Sequence, residues 1–173
     1  MSTITIRKAI PEDISIVKQF IIDLVVYEKM LDDVVVTDEL LFDSLFVQHA
    51  AHCILAFEDH IPVGFALYFY NYSTFLGKKG LYLEDLFVKP EYRSRGYGKQ
   101  LLLHLVQQAK QENCGRMEWS LLNWNTPAIE FYKSIGAEAM QEWTVYRLNT
   151  KKWKNWFSSS IFLNYLYQEI IFS

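Results

Sequence analysis

Hydrophobic and polar positions along this chain keep two rhythms. Residues 3–9, T-I-T-I-R-K-A, alternate every second position, which predicts a half-buried strand. Pro11 then opens a helix, with Glu12 and Asp13 in a first turn whose dipole favours acids. Ile14, Val17, Ile21, Leu24 and Val25 recur at helical spacing and predict its buried face. A second helix is expected after Thr37, carrying Leu40, Leu41, Leu45 and Phe46. A-H-C-I-L-A-F-E and P-V-G-F-A-L-Y-F-Y read as two strands joined by a tight turn at Asp59-His60. Gly80 to Val88 reads as the next strand. Gly96 to Gln111 reads as a helix with Leu102, Leu105, Val106 and Ala109 inward. Gly115 to Leu121 predicts another strand, and Thr126-Pro127 begins a helix through Ser134 that Gly136 ends. A last strand, W-T-V-Y-R-L, follows Glu142.

The order β-α-α-β-β-β-α-β-α-β predicts an α/β fold: a central, mostly antiparallel mixed sheet with helices on both faces. The expected organisation is one domain over residues 1–149 and an extension over 150–173. From residue 151 that extension reads K-K-W-K-N-W-F, and its apolar remainder calls for a surface to pack on, its own domain or a second copy.

Composition narrows the classes. At 173 residues, 51% hydrophobic and 21% charged, the chain has enough material for a folded core. A net charge of -3 gives no electrostatic case for binding nucleic acid. Cys53 and Cys114 are far apart and read as reduced thiols. His49, His52, His60 and His104 show no metal-ligand spacing, so no metal is expected. No secretory pattern opens the sequence, and no stretch approaches the roughly 18 apolar residues that span a bilayer. The expectation is a cytoplasmic protein without a membrane partner.

The chemistry concentrates at R-S-R-G-Y-G-K-Q, residues 93–100, between a predicted strand and a predicted helix. Backbone N–H groups at a helix start form an anion site, and Gly96 and Gly98 allow close approach. Gly98-Lys99-Gln100 lacks the magnesium-binding hydroxyl of a P-loop, and G-Y-G-K-Q-L lacks the third glycine of a dinucleotide fingerprint.

The stretch V-K-P-E-Y-R-S-R-G-Y-G-K-Q-L-L resembles the R/Q-x-x-G-x-G/A signature of the GNAT acetyltransferases, and W-N-T-P-A-I-E-F-Y-K-S-I-G-A resembles their second signature. Tyr27-Glu28, L-Y-L-E-D and E-W-T-V-Y-R-L make the likeness narrower, to the spermidine/spermine and thialysine branch. It runs from about Ile4 to Leu148. The E-W pair lacks one residue of the E-G-W seen in the polyamine enzymes.

This resemblance implies the GNAT fold and acetyl-CoA as cofactor. It implies that pantetheine lies along Phe87 and Val88, with the pyrophosphate on Arg93, Ser94, Arg95, Gly96, Tyr97, Gly98 and Lys99. Asn125, Tyr132 and Lys133 would complete the cofactor site. The catalytic pair would be Glu84 as general base, through a water, and Tyr132 as general acid. Our strand reading places Glu84 on one face with Tyr82, Leu86 and Val88, an apolar setting that raises a carboxylate's pKa. An N–H near Phe87 or Val88 would hold the oxyanion. Tyr27, Glu28, Asp85, Glu142 and Trp143 would line the amine pocket.

The function so implied is N-acetylation of a primary amine on a polyamine, diamine or thialysine-like substrate, by a homodimer. Acetylation of a protein lysine, an N-terminus or an aminoglycoside, or a non-catalytic CoA-binding module, are the other readings.

Overall fold

A computed structural model describes residues 4–30 and 34–157. The chain forms two compact units, Met1–Leu122 and Asn123–Ser173. The apolar tail over residues 158–173 lies outside the described residues.

The first unit is built on a five-stranded sheet in the order β1-β2-β3-β4-β5, with β1 at Ile4–Lys8, β2 at His52–Glu58, β3 at Ile61–Ser73, β4 at Lys78–Val88 and β5 at Met117–Trp119. The first four strands run antiparallel, and β5 joins β4 in parallel.

Helix α1, Ile14–Glu28, follows a 3-10 turn at Pro11–Asp13. Asp13 fixes that entry: its carboxylate accepts from the Ile10 N–H at 2.9 Å and pairs with both Arg7 guanidinium nitrogens, at 2.5 and 3.0 Å. Helix α2, Asp38–Phe42, is capped by the Thr37 hydroxyl and continues as one π turn, Asp43–Val47. One face of the sheet buries Cys53, Leu55, Phe65 and Phe87 against Ile14, Val17, Phe20 and Leu24 of α1, with Leu41 and Leu45. Phe20, absent from the predicted face of α1, is 1% exposed and stacks on Phe65 with centroids 5.4 Å apart.

Helix α3, Tyr97–Gln111, covers the other face, where Leu101 closes over Gly64 of β3. Its buried stripe is Tyr97, Leu101, Leu102, Leu105 and Ala109. Val106, predicted inward, is exposed, because the stripe is centred on Leu101 and Leu105 and Val106 lies about 100° beyond the latter.

The second unit contains helix α4, Thr126–Ser134, with Gly136 left-handed after it (φ 87°), and helix α5, Thr150–Phe157. The strand predicted over Trp143–Leu148 is not formed: the segment has no ladder partner among the described residues, and Val145 and Tyr146 are exposed. Alternation predicts a strand's faces, but hydrogen bonding to a neighbour makes it a strand. Likewise β5 is shorter than the predicted Gly115–Leu121.

Candidate active site

Strand β4 is the axis of the site, and a bulge decides what it presents. Leu67 of β3 pairs with Asp85, but the next residue, Tyr68, pairs with Leu83. Glu84 is therefore an extra, unpaired residue, and the facing of β4 reverses across it. Tyr82, Asp85 and Phe87 share the α1 face with Leu67 and Phe65, whereas Leu81, Leu83, Leu86 and Val88 face α3. This corrects the expectation that Glu84 shares one face with Tyr82, Leu86 and Val88. Uninterrupted period-2 alternation carries no sign of a bulge. Glu84 is exposed, not set in apolar surroundings.

The half-buried carboxylate is its neighbour Asp85. Burial foremost, then the charges of Glu84 and Glu28, push Asp85 up to about 7. Burial also raises Glu28, at the end of α1.

Beyond the bulge, β4 loses its partner on the β5 side. The parallel ladder covers only Leu81–Met117, Tyr82–Glu118 and Leu83–Trp119. Residues 84–88 thus have no strand on that edge among the described residues. The Lys89 N–H donates to the Val63 carbonyl at 2.9 Å, so by antiparallel alternation the groups of Phe87 also point at β3. Those of Leu86 and Val88 point to the open edge. Of the pair predicted to hold a ligand through the backbone, Val88 is so placed and Phe87 is not. Leu86, which sequence reasoning missed, is placed like Val88; the β3–β4 register, which no local pattern encodes, is what identifies it.

The open edge runs into the turn before α3. Ser94 (φ 61°) and Gly96 (φ 84°) are both left-handed, and α3 starts at Tyr97. Such alternation turns successive N–H groups toward one concavity at the positive end of a helix. A Cβ on Gly96 would meet no atom within 4 Å, and one on Gly98 only the Val88 Cγ2 at 3.8 Å, so the space over the first turn is open.

The two arginines of the motif are engaged elsewhere. Arg93 lies over the rings of Tyr27, at 4.7 Å, and Phe87, at 5.4 Å, while its Nε–H donates to the Val88 carbonyl at 2.9 Å. Arg95 pairs with Glu58 at 3.2 Å and lies over Tyr92, and the Tyr97 hydroxyl donates to the same Glu58. Glu58, at the end of β2, is a supporting residue the sequence did not single out. Lys99, in the first turn of α3, has no ion-pair partner among the described residues. The charge expected from Arg93 and Arg95 thus serves mainly to brace the loop, which leaves main-chain N–H groups and Lys99 as the candidates for an anion.

The remaining predicted residues belong to the second unit. Asn125 caps α4, its Oδ1 accepting from the Ala128 N–H at 3.4 Å. Tyr132 packs its ring 5.2 Å from that of Phe131, and burial pushes its phenol up to about 12. Lys133 is exposed on the same helix; Glu142 and Trp143 are exposed in the irregular segment after it.

Among the described residues, no cluster of three or more His, Cys, Asp or Glu is placed to hold a metal ion, and no helix is long and apolar enough to cross a membrane. Cys53, which is buried, and Cys114 are free thiols.

Known proteins point the same way. The sequence profile described as "Acetyltransferase (GNAT) family" matches residues 23–137. A thialysine N-epsilon-acetyltransferase from Sus scrofa is 33% identical over 151 residues, covering 82% of this chain and 88% of that protein. An L-ornithine N5-acetyltransferase from Arabidopsis thaliana is 44% identical over 91 residues, 53% of this chain. The alignments span 40% of the length of that plant protein and 62% of a Bos taurus thialysine N-epsilon-acetyltransferase. Among solved structures, an integron cassette protein from the mobile metagenome of V. cholerae superposes with a TM-score of 0.76 at 29% identity, covering 90% of this chain and 98% of that one. An aminoglycoside N-acetyltransferase in complex with CoA superposes at 0.69 with 21% identity, a likeness of fold, over 86% of this chain and 97% of that one.

Proposed function

This chain belongs to the acetyltransferase (GNAT) family, and from that premise we propose that it transfers the acetyl group of acetyl-CoA to a primary amine of a small cationic substrate, a diamine, polyamine or thialysine-like amino acid. The observation that carries this reading is the continuous main-chain surface from the open edge of β4 to the left-handed turn before α3. Leu86 and Val88 offer peptide groups to an extended amide-bearing arm, and the N–H groups of residues 94–99 suit a diphosphate, that of Arg93 being taken by the Pro90 carbonyl. The empty space above Gly96 and Gly98 fits such a group and would not admit it if side chains grew there.

When bound, acetyl-CoA supplies an electrophilic thioester carbonyl. The chain's own task is threefold. An alkylammonium has a pKa of about 10.4, so a carboxylate must take its proton before attack. The resemblance gives that role to Glu84. A main-chain N–H on the open edge of β4, that of Val88 or Leu86, stabilises the developing oxyanion, a contact worth about 3 kcal/mol. The resemblance makes Tyr132, whose phenol stays protonated at neutral pH, the donor of a proton to the departing thiolate. The resemblance adds Asn125 and Lys133, of the second unit, to the coenzyme site. To the cationic substrate the resemblance assigns Tyr27, Glu28 and Asp85 of the first unit and Glu142 and Trp143 of the second, the carboxylates pairing with its ammonium groups. The names of the relatives, which specify terminal nitrogens of thialysine and ornithine, support a small amine over a protein. We further propose that the working form is a cytoplasmic homodimer.

The test is thiol release from acetyl-CoA by the full chain with spermidine, a short diamine, thialysine, ornithine, an aminoglycoside and a lysine peptide. Turnover with the small amines, and little with the peptide, is expected. CoA binding without turnover on any amine overturns the reading. Sedimentation at micromolar concentration reports the dimer.

A further inference from the structure

Strand β2 alternates between two sides. Cys53, Leu55 and Phe57 join the core under α1, so Ile54, Ala56 and Glu58 face α3. Glu58 ends that row, where the first turn of α3 arrives, and its carboxylate holds two side chains there. Arg95 Nη1 lies 3.4 and 3.2 Å from the two carboxylate oxygens, and the Tyr97 hydroxyl donates to Oε1. Arg95 and Tyr97 flank Gly96, so one carboxylate from β2 grips a left-handed residue from both sides. The grip is shielded from water: the Glu58 side chain is 12% exposed and Tyr97 7%. A phenol so buried requires an acceptor and a carboxylate so covered requires donors, and the contact answers both. A further tie crosses Ser94, from Arg95 Nη2 to the Glu91 carbonyl at 3.2 Å. Ser94 has a left-handed φ of 61°, a strained state for a residue with a Cβ, which its surroundings must hold.

We propose that Glu58 is a positioning residue for the coenzyme: by holding Arg95 and Tyr97 on either side of Gly96, it keeps the turn over 94–99 in the shape that presents its N–H groups to a diphosphate. This assignment rests on the acetyl-transfer reading above. Glu58 acts through its two partners and not by touching the ligand, since a carboxylate repels a diphosphate. Arg95 offsets that charge, so the carboxylate stands near an anion site without opposing it. The turn does not hold itself. Ser94 and Gly96 have other conformations open to them, and N–H groups that point apart share no anion. The fraction of chains with the turn formed scales the apparent affinity: a turn formed one time in about ten binds about tenfold more weakly. The thioester and the amine are not involved, so saturating coenzyme restores turnover.

The experiment compares the full chain with Glu58→Gln, Tyr97→Phe and the pair. It measures CoA binding by calorimetry, turnover of acetyl-CoA with a small amine, and nitrogen-15 relaxation of amides 94–97 without ligand. Glu58→Gln keeps the side chain's size and removes its charge; Tyr97→Phe keeps the buried ring and removes only the hydroxyl. Glu58→Gln is expected to raise Kd for CoA and KM for acetyl-CoA about tenfold, with kcat within about twofold and KM for the amine unchanged. Tyr97→Phe is expected to raise both coenzyme constants about threefold, and the pair to fall short of the product of the two, because both act through one carboxylate. Order parameters at 94–97 are expected near about 0.85 in the wild type and below about 0.6 in Glu58→Gln. A residue that served stability alone would lower the urea midpoint and leave KM for acetyl-CoA in the folded chain where it was. Wild-type Kd in Glu58→Gln overturns the assignment, and so does tighter binding, which would make the carboxylate an opponent of the coenzyme. A loss confined to kcat, or effects of the two substitutions that multiply in full, also overturns it. Unchanged order parameters overturn it whatever the Kd. A wild-type chain that binds no CoA overturns the broader reading instead, and the relaxation data then decide by themselves whether Glu58 shapes the turn.

Discussion

Replacing Gly98 by alanine should push stability and coenzyme affinity in opposite directions. Gly98 is the second residue of α3, and its φ lies outside the left-handed region. A methyl there touches only the Val88 Cγ2, at 3.8 Å, an ordinary contact. Nothing in the fold resists it, and the unfolded chain loses freedom, so Gly98→Ala should stabilise by about 0.4–1 kcal/mol. The same methyl stands over the N–H groups assigned to the diphosphate. Loss of one hydrogen bond to a charged group costs about 1.5–3 kcal/mol, or about 10- to 100-fold in Kd. The control is Gly96→Ala. Its φ of 84° strains any side chain, so stability should fall by about 1–2 kcal/mol although a Cβ there also meets open space. Urea unfolding followed by tryptophan fluorescence gives the first quantity, and titration calorimetry with CoA gives the second. A Gly98→Ala chain that binds CoA as tightly as wild type would refute the main-chain cradle. One that unfolds at lower urea would refute the open space above it.

Three further outcomes follow from contacts elsewhere. Asp13 is held below the ordinary carboxylate range, first by its hydrogen bond to Arg7, with the Ile10 N–H helping against burial. A lowered folded pKa means stability that is complete above pH about 4 and is lost as the pH falls through the folded value. Asp13→Asn should therefore cost about 1–2 kcal/mol at pH 7, discounted for the 40% exposure of the Arg7 side chain, and should flatten the acid limb of stability against pH. Phe65→Leu removes the ring stacked on Phe20 from a fully buried site, and should cost about 1–2 kcal/mol in urea unfolding without altering the pH dependence of turnover. Arg93→Met keeps an apolar stem but loses the charge over Tyr27 and Phe87 and the bond to Val88; KM for amine and Kd for CoA should rise together, whereas a pure phosphate ligand would raise only the second.

The parts of this molecule that were legible in its sequence are those set by local rules. Helix α4 has its cap at Asn125, its proline at Thr126-Pro127 and its glycine at Gly136, and each sits where the residue type requires. The left-handed turn at Gly96 reads equally directly, because glycine adopts it cheaply, whereas nothing in the residue type marks Ser94, which is left-handed as well. What failed was non-local. The facing of Asp85 follows from a register shift against Leu67 and Tyr68, residues nearly twenty positions earlier, and the strand expected at Trp143–Leu148 needed a neighbouring edge that alternation does not supply. The arginines were misread for a similar reason. Their type and spacing suit phosphate, but Glu58 and Tyr27, far off in sequence, determine where they lie.

That division has a consequence for how the two substrates are recognised. In the proposed site the first unit meets the coenzyme mainly through peptide groups, at Leu86, Val88 and the turn over 94–99, so that part would survive most side-chain changes that spare Gly96 and Gly98. The amine end, as proposed, would draw on side chains from separate elements, Tyr27 and Glu28 on α1 and Asp85 on β4 in the first unit alone. Arg93 touches both ends, through the Tyr27 ring on one side and the Val88 carbonyl on the other. Divergence among relatives that share this fold should therefore alter the amine long before it alters the coenzyme. That is the pattern expected where one binding surface is backbone and the other is a set of carboxylates, each of which a single substitution can remove.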